Sequence, residues 1–130
     1  MHPIQIRTGS REAMLDITPR LEELLKAQDV SSGVMTVYTP HTTTGLTINE
    51  GADPDVCRDI LAHLRTMVPQ HAGFHHVEGN SDAHIKATLF GSSVQIIIEG
   101  GRLLLGTWQR VFLGEFDGPR SRTLWVKILS

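Results

Sequence analysis

Cysteine is almost absent from this 130-residue sequence, which contains only Cys57. A single cysteine excludes a disulfide within the chain and a zinc site built from several thiolates. No apolar run approaches the roughly 20 residues that a membrane-spanning helix needs, and the first residues contain no apolar signal segment. We therefore expect a cytoplasmic protein with no membrane partner.

An excess of basic residues is also missing. Lys and Arg total 12 against 14 Asp and Glu, which gives a formal net charge of -2. This balance argues against a nucleic-acid partner, because such proteins present a basic surface. The length suits one domain, residues 1–130, with a single core. Histidine is unusually frequent, with seven in total and five of them between His63 and His84.

Apolar runs separated by turn signals predict a mixed fold. We expect helices at residues 18–28, 54–67 and 82–90, the first two opened by the capping residues Thr18 and Asp53, each followed by proline. Strands are expected at residues 4–8, 12–17, 34–39, 46–50, 94–99, 102–105, 107–116 and 123–129. Because short hairpins join several strands, the sequence predicts an α+β domain with a mainly antiparallel sheet and two or three helices.

Two segments carry specific packing predictions. In the third helix we expect Ile85, Thr88 and Leu89 to face inward, with His84 beside them. The strand at residues 107–116 is largely apolar on both faces and should therefore be central in a sheet.

Polar residues within that strand and the strand before the second helix need partners. Gln109 and Glu115 are expected to find theirs inside the protein, since an unpaired buried carboxylate is costly. Trp108 has two interpretations: packing against the sheet, which we favour, and stacking on a ligand. Glu50 falls on the apolar face of its strand, where it either marks a site or simply ends the strand and turns into solvent.

Polar side chains that interrupt the apolar patterns come from five separate segments, and we expect them to converge on one cleft. These candidates are His41, Asn49, Glu50, Asp53, Asp59, His75, Asp82, His84, Gln109, Glu115, Arg120 and Arg122.

Four motifs resemble those of a known family. They are HTTTGLTINE at residues 41–50, NSDAHIK at 80–86, GGRLLLGTWQ at 100–109 and GEFDGPRSR at 114–122. In this order they are similar to the YjbQ family, also called UPF0047 or secondary thiamine-phosphate synthase. The resemblance spans nearly the whole chain and implies a YjbQ-like subunit that forms a homotrimer, with the polar cluster near a subunit boundary.

The activity that this resemblance implies is a weak or secondary transfer, which joins an aminopyrimidine diphosphate to a thiazole phosphate and releases pyrophosphate. Such a site must neutralise phosphate charge and orient two rings without an organic cofactor. We assign catalysis to Glu50, Asp59, His84, Gln109 and Glu115, and binding of the phosphorylated substrate to Thr42, Asn49, Trp108, Arg120 and Arg122. Arg120 and Arg122 suit a bidentate phosphate clamp, and Glu50 or Asp59 suits Mg²⁺.

Two other functions fit the same residues. His41, His75 and His84 with one carboxylate would suit Zn²⁺ with an open position for water, which is the arrangement of a metal-dependent hydrolase. A trimer that binds a small anionic ligand without reaction would have the same sequence. Glu115 and Arg122 have a purely structural interpretation too, as an ion pair between strands.

Overall fold

The computed structural model describes residues 1–130. Strands and helices follow one another as β1 (His2–Arg7), β2 (Ala13–Asp16), α1 (Thr18–Gln28), β3 (Ser32–Tyr38), β4 (Thr44–Glu50), α2 (Pro54–Met67), α3 (Ser81–Phe90), β5 (Ser93–Glu99), β6 (Arg102–Leu103), β7 (Gln109–Glu115) and β8 (Ser121–Leu129). This α+β architecture confirms the predicted fold class. No helix combines the length and the apolar character that crossing a membrane would require.

The strands form two sheets rather than one. The larger sheet has the order β1-β8-β3-β5-β6 and the smaller has the order β2-β7-β4. All pairings are antiparallel. Strand β7 is the middle strand of the smaller sheet, as its two apolar faces predicted. Its register with β4 places Glu115 opposite Thr44 and Gln109 opposite Glu50.

The main core lies between the two sheets. The larger sheet contributes buried side chains such as Met35 and Val126, and the smaller sheet contributes Leu46 and Leu113. Helix α1 closes one end of this core through Leu21.

Helices α2 and α3 pack on the smaller sheet and form a second core with it. Leu64 of α2, Ala87 of α3 and Phe116 are buried together there. Helix α3 approaches the sheet closely because two strand positions are glycine. A Cβ atom at Gly45 would collide with the Phe90 side chain, and one at Gly114 would lie 2.7 Å from the Phe90 ring.

The prediction for the inward face of α3 was wrong. Ile85 and Leu89 are 37% and 55% exposed, and Thr88 is also exposed, whereas Asp82 and Lys86 are almost completely buried. The reason is electrostatic, since Lys86 Nζ lies 2.8 Å from Asp82 Oδ2 and 3.1 Å from a Glu12 oxygen. These ion pairs hold Asp82 and Lys86 on the inward face of α3 together with the small residues Ala83 and Ala87, and the larger side chains of Ile85 and Leu89 point toward solvent.

The two proline-containing helix starts differ. Asp53 Oδ1 accepts a hydrogen bond from the Asp55 amide at 2.9 Å, so the predicted cap of α2 is confirmed. Thr18 does not cap α1. Its hydroxyl instead accepts a hydrogen bond from the Val111 amide, and Asp16 Oδ1 accepts from the Thr18 amide. A tertiary contact with β7 has therefore taken the hydroxyl that would otherwise cap the helix.

Candidate functional site

Two of the predicted site histidines line one cleft, which we call the histidine cleft. It lies between the segment that joins β3 to β4 and the helix α3, and has a volume of about 450 Å³. Its lining residues are Tyr38, Thr39, Pro40, His41, Thr42, Thr44, His84, Ala87, Thr88, Gly91 and Ser92. Imidazoles, hydroxyls and backbone therefore supply its polar surface, and none of these residues is a carboxylate.

His41 is fixed within this cleft by a bond to strand β8. Its Nε2 accepts a hydrogen bond from the Thr123 amide at 2.9 Å. Burial and then the nearby positive charge of Arg122 lower the pKa of His41 below its ordinary value of 6.5. The ring is therefore neutral at pH 7, and because Nε2 is an acceptor, Nδ1 carries the proton.

A buried ion pair supports the turn that carries His41. Arg122 Nε donates to Glu115 Oε1 at 2.9 Å, and its Nη2 donates to Glu115 Oε2 and to the Thr43 hydroxyl. The Thr8 hydroxyl donates to the same Glu115 carboxylate at 2.7 Å. The pair thus connects β7, β8 and the β3–β4 turn, and it fixes Thr43 beside the histidine cleft.

These contacts decide the protonation of Glu115. Burial alone would raise the pKa of its carboxyl group, but hydrogen bonds from Arg122, Thr8 and the Asp117 amide, together with the charge of Arg122, lower that pKa below its ordinary value of 4.5. Glu115 is therefore ionised at neutral pH. A fully paired, buried carboxylate of this kind is the structural alternative that the sequence left open.

The two arginines of the predicted phosphate clamp have different environments. The Arg122 side chain is 5% exposed and its guanidinium group is bound to Glu115 and Thr43. Arg120 is 55% exposed and donates to the backbone oxygen and the carboxylate of Asp117. Arg122 is consequently occupied by protein partners, and a ligand in solution meets Arg120 more readily.

His84 and His75 lie in different parts of the structure. His84 lies on α3 and lines the histidine cleft, with its ring 5.5 Å from the ring of His76 in an edge-on arrangement. His75 is exposed in the segment that joins α2 to α3 and does not line this cleft. Within one chain, no three His, Cys, Asp or Glu side chains are placed to hold a metal ion together. The predicted trio of His41, His75 and His84 is therefore not one ligand set in a single chain.

The candidates at the far end of β4 form a separate group. Glu50 Oε2 accepts hydrogen bonds from the Ala52 and Asp53 amides at 2.8 and 2.9 Å, which stabilises the turn into α2. Gln109 Oε1 accepts from the Gly106 amide at 2.8 Å. Gln109 is thus exposed and paired within its own loop, contrary to the expectation of a partner in the interior.

The separation is set by the strand itself. Thr44 lines the histidine cleft, and Glu50 ends the same strand six residues later, which corresponds to roughly 20 Å of extended chain. Asn49 lies at this far end also, where its side chain accepts from the Glu50 amide. In a single chain, Glu50, Asn49 and Gln109 therefore cannot contact a small ligand that His41 and His84 bind.

Two further candidates are exposed. Trp108 is 62% exposed, so the expectation that it packs against the sheet was wrong. It precedes β7 in a turn, where the Gly51 amide bonds to its backbone oxygen and the indole remains in solvent. Asp59 is exposed on α2 and has no ion-pair partner within the chain.

The sequence predicted that Asp82 would line the cleft, but Asp82 is buried in a charged cluster beneath α3 that sequence reasoning missed. Asp82 is bound by Lys86 and by both terminal nitrogens of Arg11, at 2.8 to 3.2 Å. Burial would raise the pKa of Asp82, but the bonds to Arg11 and Lys86 lower it below its ordinary value of 3.8. The spacing of Asp82 and Lys86, four residues apart on a helix, was the available signal for this pair.

These features define a class of protein: a small α+β domain of two antiparallel sheets, with an imidazole and hydroxyl cleft supported by a buried ion pair. A model of the UPF0047 protein YjbQ-like family matches residues 2–130. The chain belongs to this family.

Relatives and solved structures match this chain over nearly its full length. The chain is 51% identical to UPF0047 protein MJ1081 of Methanocaldococcus jannaschii, over 96% of this chain and 91% of that protein. It is 46% identical to YugU of Bacillus subtilis, over 97% and 96% of the two chains. A crystal structure of an uncharacterised YjbQ/UPF0047 protein from Clostridium acetobutylicum is 50% identical and superposes with a TM-score of 0.96, covering 99% of this chain and 100% of that one.

Proposed function

We propose that the histidine cleft binds a small phosphate-bearing molecule, and that the reaction is a thiamine-phosphate-synthase-like transfer. The observation that carries this proposal is the lining of the cleft, which combines His41 and His84 with hydroxyl groups and contains no carboxylate. Hydroxyl and imidazole N–H groups donate hydrogen bonds to phosphate oxygens, and the absence of carboxylates avoids repulsion of the anion.

Several of these donors are free to meet a ligand. The side chains of Thr42 and Ser92 form no hydrogen bond within the chain, and both residues are exposed at the cleft. His41 has its Nδ1 proton to donate, because Nε2 is already an acceptor for Thr123. The volume of about 450 Å³ suits a ligand of one or two rings.

In the proposed reaction, the bond breaks between the diphosphate oxygen and the carbon that connects it to the aminopyrimidine. The thiazole nitrogen forms a bond to that carbon as the diphosphate leaves. Pyrophosphate leaves with the electron pair of the broken bond. His84 and the cleft hydroxyls would donate to the leaving group as its negative charge increases, which is where preorganised donors accelerate a reaction. The ion pair of Arg122 with Glu115 keeps the β3–β4 turn in place.

Calorimetric titration with pyrophosphate tests the binding step, with His84→Ala as the variant and His63→Ala as its control. His63 is exposed on α2 and does not line the cleft. We expect His84→Ala to weaken pyrophosphate binding by about tenfold, the effect of one lost hydrogen bond to a charged group, and His63→Ala to bind like the wild type. Equal affinity in all three proteins would contradict the proposed site.

Turnover is tested by supplying the aminopyrimidine diphosphate and thiazole phosphate together and measuring released pyrophosphate. Release that requires both substrates and falls in His84→Ala supports the transfer. Pyrophosphate binding without any release would support the alternative of a non-catalytic protein for a small anionic ligand.

We further propose that the functional unit is a homotrimer. The aliphatic side chains of Ile85 and Leu89 on α3 are exposed next to the histidine cleft, and contact with another copy would bury them. Light scattering on the purified protein tests this assembly. A mass of three chains for the wild type, reduced in an Ile85→Lys variant, is expected, and a monomeric wild type would contradict it.

A further inference from the structure

A second cleft lies at the other end of the molecule. It occupies about 560 Å³ between α1 and the segment at residues 101–110. Leu25, Val30, Leu103 and Leu105 form its apolar part, and we call it the leucine cleft. Its size is within the range of sites for small organic molecules, and its residues are distinct from those of the histidine cleft.

The leucine cleft accounts for a motif that the proposed function does not use. The sequence GGRLLLGTWQ at residues 100–109 contributes nothing to the histidine cleft, but Gly101, Arg102, Leu103, Leu105 and Gln109 line the leucine cleft. Gln109 faces Glu50 across the sheet, at the opposite end of β4 from Thr44. A ligand in one cleft is therefore roughly 20 Å from a ligand in the other.

The charges around the leucine cleft are unequally paired. Arg110 lies 2.7 Å from Asp16 and 3.9 Å from Glu22, so its charge is compensated within the protein. Lys26 and Arg102 also line the cleft, and neither forms an ion pair or a side-chain hydrogen bond within the chain. Two cations without a protein partner thus stand at the edge of an apolar surface.

We propose that the leucine cleft binds a small amphipathic anion, with an aromatic or aliphatic body on the leucines and an acidic group at Lys26 and Arg102. Burial of the apolar body contributes favourable free energy because it removes apolar surface from water. The acidic group is attracted by two cations, and no ion pair within the protein has to be broken for it to bind. The carboxylates of Glu22 and Asp29 also line the cleft and would repel a second negative charge, so we expect a ligand with one acidic group rather than several.

The probe for this test is 8-anilinonaphthalene-1-sulfonate, which has an aromatic body and one sulfonate. Its uncharged analogue N-phenyl-1-naphthylamine reports the apolar contribution alone. We expect Lys26→Gln and Arg102→Gln each to weaken binding of the sulfonate by about two- to fivefold, as the loss of an exposed charge interaction predicts. Binding of the uncharged analogue should change by less than about twofold, since it has no charge for these residues to meet.

Lys127→Gln is the matched control, because Lys127 is an exposed lysine on the larger sheet and does not line the cleft. Amide chemical shifts locate the bound probe independently. The proposal requires saturable shifts at Gly101, Gly106 and Thr107. Shifts confined to other surfaces, no binding, or equal weakening of sulfonate binding by Lys127→Gln would overturn it. Because the two clefts share no residue, pyrophosphate binding in the histidine cleft should be unchanged in Lys26→Gln and Arg102→Gln.

Discussion

Replacing Arg122 with methionine should destabilise the protein strongly, because it leaves Glu115 charged and buried. Glu115 has no exposed surface and Arg122 is 4% exposed. The substitution removes two hydrogen bonds to the carboxylate and one to Thr43, and only the Thr8 hydroxyl and the Asp117 amide still donate to Glu115. Loss of one partner from a buried ion pair costs about 3–5 kcal/mol.

That cost is a large part of the 5–15 kcal/mol by which domains of this size are typically stable. Urea denaturation followed by circular dichroism, at one protein concentration, measures the free energy of unfolding. Arg58→Met is the matched control. Arg58 forms a solvent-exposed ion pair with Asp55, so its loss should cost less than about 1 kcal/mol. The double variant Glu115→Gln with Arg122→Met should recover part of the loss, because no buried charge remains.

The pH dependence gives a second result from the same variants. In the wild type, the lowered pKa of Glu115 contributes stability above the ordinary value of 4.5, and this contribution is lost as the pH falls through the lowered pKa. In Arg122→Met, burial dominates and raises that pKa, so acidification should relieve the buried charge. A loss from Arg122→Met no larger than that from Arg58→Met, with unchanged pH dependence, would refute this reasoning.

Two further predictions concern the helices. Lys86→Met should cost about 1.5–3 kcal/mol in urea denaturation, since it removes one hydrogen bond to the buried Asp82 carboxylate while Arg11 still donates two. A loss below that of Arg58→Met would show that the cluster beneath α3 contributes little. Asp53→Ala should lower the free energy of unfolding by about 1 kcal/mol through loss of the α2 cap, and an unchanged unfolding midpoint would contradict the role of its bond to Asp55.

Local sequence signals were sufficient for much of the fold. The Asp53 cap with Pro54 located the start of α2, and two glycines located the turn between β5 and β6. Both signals depend on interactions within a few residues, so they do not depend on contacts with distant parts of the chain. The apolar faces of residues 107–116 correctly placed β7 in the middle of a sheet, because a strand covered on both sides needs apolar residues on both.

Long-range contacts decided the features that the sequence did not reveal. The orientation of α3 depends on Arg11 and Glu12, about 70 residues before Lys86, so its own aliphatic pattern gave the wrong face. Thr18 likewise binds Val111 of β7 rather than capping its helix. These partners cannot be identified from the periodicity of one segment.

The candidate site was predicted in part for the same reason. His41 and His84 were correctly expected to share a cleft, although they are 43 positions apart, because each occurs in a polar motif. The motifs did not reveal that Glu50 and Gln109 belong to the opposite end of the sheet. The separation of the two groups of residues follows from the pairing register of β4 and β7, which cannot be read from the sequence.

The most direct test of the proposed function is a titration of the isotope-labelled protein with pyrophosphate, observed through the imidazole signals of its histidines. Binding in the histidine cleft predicts saturable shifts of the His41 and His84 signals, with His63 unchanged. The shifts should follow one binding curve, since both rings line one cleft. Shifts at His63 alone, or no shift at His41 and His84 at saturating pyrophosphate, would contradict the proposal that this cleft binds a phosphate-bearing molecule.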